Sequence, residues 1–267
     1  MAQATVVTAF YLLEKSKHPL SNYRKWITSF LSSVDAPIII FCEKEMEPLI
    51  REARGDKKLT IVILPFKNLP FQDESWMGFW EKTMEEQDDF RDLHSPQQFI
   101  IWNSKTLLVE EAIDMNPYKT DKFVWCDAGC WRNDALARAV GGTWPSAEKI
   151  PDEGMLFLDV EDISWQREKV RNGTPWYEIN TRNARSACIG GTIFAGSAAA
   201  WKEWSKAYYT MLNTYKDHNW FAGDDQSVMM STDLYLLDKA KHLQAPQTDG
   251  YFNGMGDKWF ALQVFLQ

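Results

Sequence analysis

Apolar residues come along this chain in short continuous runs, and between the runs they recur at helical spacing. Ala4 to Phe10, Pro37 to Cys42 (PIIIFC) and Leu59 to Leu64 (LTIVIL) are near-continuous, the pattern of parallel strands covered on both faces. After the first of them, Tyr23, Trp26, Ile27, Phe30, Leu31 and Val34 fall at i, i+3, i+4, i+7, i+8 and i+11. That single stripe predicts a helix capped by Ser21 and laid against the sheet. A shorter helix is predicted around Glu45 to Arg54. Phe71 to Leu93 is acidic and aromatic without a clean period, and reads as one helix with a mobile lead-in. Ser95-Pro96-Gln97-Gln98 supplies a cap, a proline at the first helical position and a capping-box glutamine, opening a helix that runs to about Met115. Phe123 to Cys126 predicts a strand that ends on Asp127. Met155 to Val160 and Cys188 to Ala195 predict later strands, followed by a helix from Ser197 to about Tyr215. Strands alternating with helices indicate an α/β sheet. No repeat, low-complexity tract or linker separates the two halves, so both are expected to share one sheet.

Composition narrows the function classes. With 267 residues, 45% of them hydrophobic, the chain can bury one large core or two intimate lobes. A formal charge of -8 argues against a general nucleic-acid binder, which needs a net basic face. Val6 to Leu13 is apolar but has no basic segment before it, so it reads as a first strand rather than a signal peptide. No apolar run approaches the roughly 20 residues that span a bilayer. A cytoplasmic location, with at most peripheral membrane association, is the expectation. Cys42, Cys126, Cys130 and Cys188 lie in apolar contexts without a CxxC pair and read as buried reduced thiols. Asn172-Gly173-Thr174 fits a glycosylation sequon, but Pro175 follows and the segment reads as a turn.

Three stretches carry candidate chemistry. In open α/β sheets ligands collect at the carboxyl ends of strands, which is where FVWCDAGCWR puts Asp127. A carboxylate there suits Mg²⁺ or Mn²⁺, and Gly129 lets a ligand approach the backbone. The competing reading makes Asp127 a cap for a short helix near Arg132, or an Asx-turn. In CIGGTIFAGS, Gly190 and Gly191 open space beside a strand for a flat polar ligand such as a sugar, or mark a bulge. In HNWFAGDDQSVMM, one of Asp224 and Asp225 suffices to cap a helix. The other is available as a general base or metal ligand, or belongs to a solvated helix start. Thirteen tryptophans serve mostly as core, but Trp131 and Trp220 lie beside these motifs, where they could stack on sugar rings.

Taken in order, IWNSKTLLVEEA, WCDAGCWR, GGTIFAGS and DDQSVM resemble the HtrL/YibB family, over about Thr5 to Leu237. More remotely the motifs resemble GT-A glycosyltransferases that use nucleotide sugars. The resemblance implies an α/β fold: one GT-A-like domain with a mixed central sheet flanked by helices. Residues 1–130 or so would form a Rossmann-like nucleotide-sugar-binding half, and about 131–267 the acceptor-binding half. The implied activity moves a hexose or pentose, such as glucose, galactose or xylose, from a UDP-sugar to a glycan hydroxyl in surface-glycan synthesis. In that frame Thr8, Tyr11, Lys105, Asp127, Gly129 and Arg132 bind the donor, with Lys105 and Arg132 on its phosphates and Tyr11 on its base. Gly190, Gly191 and Trp220 face the acceptor. Asp225 or Asp224 is the base that an inverting reaction requires.

The Asp-x-Asp usual in the GT-A glycosyltransferases is Asp127-Ala128-Gly129 in this chain. A Mn²⁺ or Mg²⁺ ion would therefore need a further ligand, for which the resemblance offers His242. Two other classes stay open: a non-catalytic carbohydrate-binding protein, and a phosphatase of the haloacid-dehalogenase type. The phosphatase requires an acid two positions after its nucleophile, where this chain has Gly129.

Overall fold

Alternation along strand β1 (Ala4–Phe10) sends Val6 and Phe10 into one hydrophobic core and Val7 into a second, on opposite faces of the sheet. The computed structural model describes residues 3–179, 188–245 and 257–267. Helix α1 (Leu20–Ser33) buries Trp26, Ile27, Phe30 and Leu31, the predicted stripe, against the first core. It begins directly after Pro19 without a side-chain cap, so Ser21 lies inside its first turn instead of capping it. Strand β2 (Ile38–Cys42), helix α2 (Glu47–Arg54) and strand β3 (Leu59–Ile63) follow. Helix α3 (Glu74–Gln87) is shorter than predicted because Asp73 caps it, Oδ1 accepting from the N–H groups of Ser75 and Trp76. Ser95 precedes helix α4 (Pro96–Met115), but its hydroxyl makes no capping hydrogen bond and the predicted capping box does not form.

Strand β4 (Lys122–Cys126) ends at Asp127 as predicted. Helix α5 (Asp134–Val140) takes its cap from Asn133, so Asp127 is not a helix cap. Strand β5 (Met155–Asp159) and the short helices α6 (Ser164–Arg171) and α7 (Trp176–Ile179) come next. Gly173, just past α6, has φ of +92° and makes the expected turn. Strand β6 (Ile193–Ser197) starts five residues later than its apolar run, and Ser197 caps helix α8 (Ala198–Asp217). Helix α9 (Asp225–Leu236), strand β7 (Ala240–Gln244) and helix α10 (Ala261–Phe265) complete the described elements.

The strands form one mixed sheet in the order β3-β2-β1-β4-β6-β5-β7. The first four are mutually parallel, β6 runs antiparallel to β4 and β5, and β7 pairs parallel with β5. Despite its apolar sequence, β3 lies at an edge and is only partly buried. Helices α1, α2, α5 and α10 cover one face, and α3, α4, α8 and α9 the other. The four cysteines are free and buried. Among the described residues no helix is long and apolar enough to cross a membrane. Because β1 and β4 are parallel neighbours, their carboxyl ends open on the same side, under the start of α4.

Candidate active site

A cavity of about 530 Å³ lies at those carboxyl ends, between the loop after β1, the first turns of α4 and the turn Asp127–Cys130. Its size is in the range of small-ligand sites. Asp127, Gly129, Arg132 and Tyr11 line it. The Tyr11 hydroxyl donates to Leu64 O at 3.0 Å and its ring meets Phe66 edge-on. Burial pushes that hydroxyl well above the usual tyrosine pKa, so it stays protonated. Arg132 is anchored by Nε to Gly129 O at 2.8 Å, with its guanidinium 4.4 Å from the Trp26 ring centroid and 5.2 Å from that of Phe260. The cation is thus held at the cavity by its neighbours. Thr8 is buried and is not a lining residue. It stands in phase with Val6 on β1, which makes it a packing residue where a pocket residue was expected.

At the floor of the cavity three distant motifs meet. Asp127 Oδ1 accepts from Trp125 Nε1 at 2.7 Å, which fixes the carboxylate's orientation. Lys105, from the middle of α4, is 3% exposed. Its ammonium lies 3.2 Å from Asp127 Oδ1, 2.8 Å from Asp225 Oδ2 and 2.7 Å from Gly191 O. Three oxygens therefore surround the three N–H donors of a buried ammonium. Burial works against that charge, but Asp127 and Asp225 outweigh it and hold the Lys105 pKa above the usual lysine value. Lys105 was expected on the donor phosphates; the structure instead makes it a clamp for two carboxylates.

The adjacent aspartates divide their work. Asp224 is the N-cap of α9, Oδ1 accepting from Ser227 N–H at 3.2 Å. Asp225 turns inward, 6% exposed, and burial pushes its carboxyl up to about 6 against the pull of Lys105, with Asp127 and Asp224 adding to the rise. Its Oδ2 lies 2.8 Å from the Lys105 ammonium in a buried ion pair. Gly191 is required at this point by close approach: a Cβ there would lie 2.8 and 2.9 Å from the two Asp225 oxygens. Gly191→Ala is expected to destabilise the protein by about 1–3 kcal/mol, because the clamped carboxylate has nowhere to swing. A thermal melt of the variant checks it, and an unchanged midpoint would show that Asp225 relocates freely. Gly190 packs instead toward Leu158 and Val160. Trp220 meets the rings of Tyr215, His218 and Trp176. Trp131 is 1% exposed and stacks on Phe30, so it is core and not a sugar platform.

His242 is not brought to Asp127. It sits on β7, three strands from β4, about 14 Å away at ordinary strand spacing. Its Nδ1 is 2.7 Å from Asp159 Oδ1 and its Nε2 3.0 Å from Asp233 Oδ1, with Arg167 bridging the same carboxylates. Burial opposes its charge, but the two aspartates hold its pKa above the usual histidine value. Both ring nitrogens are thereby used in a buried ion cluster. Nor do the residues at the cavity floor fit a ready-made divalent site. The Lys105 ammonium stands between Asp127 and Asp225, and no group of three His, Cys, Asp or Glu side chains that could hold a metal occurs among the described residues.

Sequence reasoning missed Trp125 as the orienter of Asp127. It also missed His94, a lining residue whose Nδ1 lies 2.9 Å from the buried Asp88 carboxylate. The pair stands six positions apart, and no periodic pattern joins them; only the turn between α3 and α4 does.

Among solved structures, the chain is similar to core-mannan synthase A from Aspergillus fumigatus in its Mn/GDP form. The two share 9% identity at a TM-score of 0.51, over 98% of this chain and 82% of that one. It is also similar to mouse xyloside xylosyltransferase 1 in the apo form, at 8% identity and a TM-score of 0.46, over 100% of this chain and 94% of that one. A search of curated proteins finds no match. The likeness to the mannan synthase shows the fold, an α/β architecture of the GT-A glycosyltransferase type with a mixed central sheet. Residues 2–239 match the model of HtrL_YibB, described as a bacterial protein of unknown function, and the chain belongs to that family.

Proposed function

We propose that this protein is a glycosyltransferase that binds a nucleotide sugar in the cavity and passes the sugar to a glycan hydroxyl. The observation that carries the reading is the cavity floor, where a space of donor size ends on the carboxylate of Asp127, behind which Lys105 clamps it to Asp225. Sugar transfer leaves negative charge on a departing nucleoside diphosphate, and Arg132 is the fixed cation at the cavity that can meet it. Tyr11 presents a ring for the base, and Gly129 leaves the backbone open beside the donor. Asp127 accepts hydrogen bonds from donor hydroxyls. Asp225, ionised above about pH 6, is the base for the acceptor hydroxyl in an inverting reaction. We assign Gly190, Gly191 and Trp220 to the acceptor side, with Gly191 directly against the proposed base Asp225.

We take a UDP-linked hexose or pentose as the donor and a surface glycan as the acceptor, with GDP as the alternative that the mannan synthase form suggests. Calorimetric titration with UDP and GDP, with and without Mn²⁺, tests the reading. Binding with Kd between about 1 μM and 1 mM is expected, followed by slow hydrolysis of at least one nucleotide sugar in a panel. Absence of binding by either nucleotide removes the proposal. Binding of glycan without any nucleotide would favour a non-catalytic carbohydrate-binding protein.

A further inference from the structure

We infer that Gln98 reads the hydrogen-bonding edge of the donor's nucleobase, held in a slot formed by Tyr11, Ile101 and Trp102; the inference rests on the reading of the cavity given above. Gln98, Ile101 and Trp102 stand at i, i+3 and i+4 of helix α4, so they share one face, and all three line the cavity. Gln98 is 8% exposed, and its Oε1 is buried without a hydrogen-bond partner. An unpaired buried carbonyl oxygen costs about 1–3 kcal/mol, and a ligand that presents an N–H or O–H at that point removes the cost. An ionised phosphate has no proton to offer such an acceptor, so the partner is another part of the donor.

The surroundings of the amide choose that part. The two sides of the cavity differ in character, because α4 and α1 lie on opposite faces of the sheet. On the α4 side, Tyr11, Ile101 and Trp102 pack against the second core, and the Trp102 ring meets His94 edge-on with centroids 5.3 Å apart. On the α1 side, Arg132 rests on the Trp26 ring, and the His18 ring lies 5.0 Å from that of the same tryptophan. Burial, with the nearby charges of Arg132 and Lys17, lowers the His18 pKa, as positive charge collected on that side requires. Cations therefore face the cavity from the α1 side, and an aromatic wall with one amide faces it from the α4 side. A sugar ring carries hydroxyls around its whole rim, most of which this wall would leave unpaired. A nucleobase fits it: the faces are apolar, and the edge sets an N–H beside an acceptor, which the amide meets with Oε1 and its own N–H groups. The donor is thereby oriented, with its base toward α4 and its diphosphate toward Arg132.

Calorimetry with UDP, and with uridine and 2′-deoxy-UDP as its competitors, tests the assignment; the guanine counterparts serve where GDP binds tighter. Gln98→Met, of similar length but without the amide, is expected to weaken UDP and uridine by the same factor, roughly tenfold, as loss of one hydrogen bond to a buried base requires. The same factor is expected for 2′-deoxy-UDP. Because Oε1 has no partner in the free protein, the variant is expected to melt no lower than wild type. A loss confined to UDP would put the amide on the phosphates, and a loss that disappears with 2′-deoxy-UDP would put it on the ribose. Either result overturns the assignment, as does unchanged affinity for all three. A variant that melts well below wild type would mean that the amide is already paired within the fold, and overturns it as well. Wild-type protein that binds neither UDP nor GDP overturns the donor reading itself and this inference with it.

Discussion

Replacing Lys105 by methionine is expected to cost about 3–5 kcal/mol of stability at neutral pH, the usual range for removing one partner of a buried ion pair. Methionine matches the length of the stem but leaves Asp225 buried without its counter-charge, and Gly191 O without its donor. For a chain of this size the loss corresponds to a drop in Tm on the order of 10 °C. The effect should depend on pH in a defined direction. Asp225 has a folded-state carboxyl pKa of about 6, above the ordinary value of 3.8, so the folded protein binds this proton more tightly than the unfolded chain does. The stability it contributes is fully present below about pH 4 and is lost as pH rises through about 6. Without Lys105 the carboxyl is pushed further in the same direction. The gap in Tm between wild type and Lys105→Met should therefore be small near pH 4 and widen above pH 6. A gap that is constant across this window would mean that the lysine acts through packing alone.

The parts of this architecture that were legible in the sequence are those whose signal is local. The stripe from Trp26 to Leu31 and the run Phe123 to Cys126 lie where hydrophobic period puts them, because each buries its own face. Asp127 was legible as a strand-end carboxylate for the same reason. Other features depend on partners far along the chain. β3 reads as covered on both faces, yet nothing pairs with its outer edge among the described strands. β7 has no apolar run, since an edge strand that carries Lys241 and His242 needs none. The Asp224-Asp225 pair signalled one cap and one residue to spare, and the structure divides them that way. What sequence could not supply was the identity of the spare aspartate's partner. Lys105 looks like any cation on a helix until α4 is packed against both the sheet and α8, which leaves its middle no solvent-facing side. The His94–Asp88 pair is hidden likewise, within an acidic stretch that reads as the tail of a helix.

Asp127→Asn is expected to reduce sugar transfer on the order of 10³-fold while leaving the fold intact, a loss of the size seen when one preorganised polar group is removed from a transition-state site. The substitution keeps the shape of the side chain, and the amide oxygen can still accept from Trp125 Nε1. Lys105 keeps Asp225 and Gly191 O, so the ammonium remains paired. What disappears is the negative charge at the mouth of the clamp, on the one carboxylate of the cluster that lines the cavity. Since Gly129 stands where a second aspartate is found in related motifs, no neighbouring carboxylate in this turn can compensate. Asp225→Asn should behave differently: its carboxylate lies deeper and is the base proposed for the acceptor, so on that proposal kcat should fall while UDP binding is retained. Donor hydrolysis and UDP calorimetry on the two variants, with a melt to verify folding, distinguish the roles. An Asp127→Asn protein with wild-type turnover would remove this carboxylate from the chemistry and leave it a strand-end residue tied to Trp125 and Lys105.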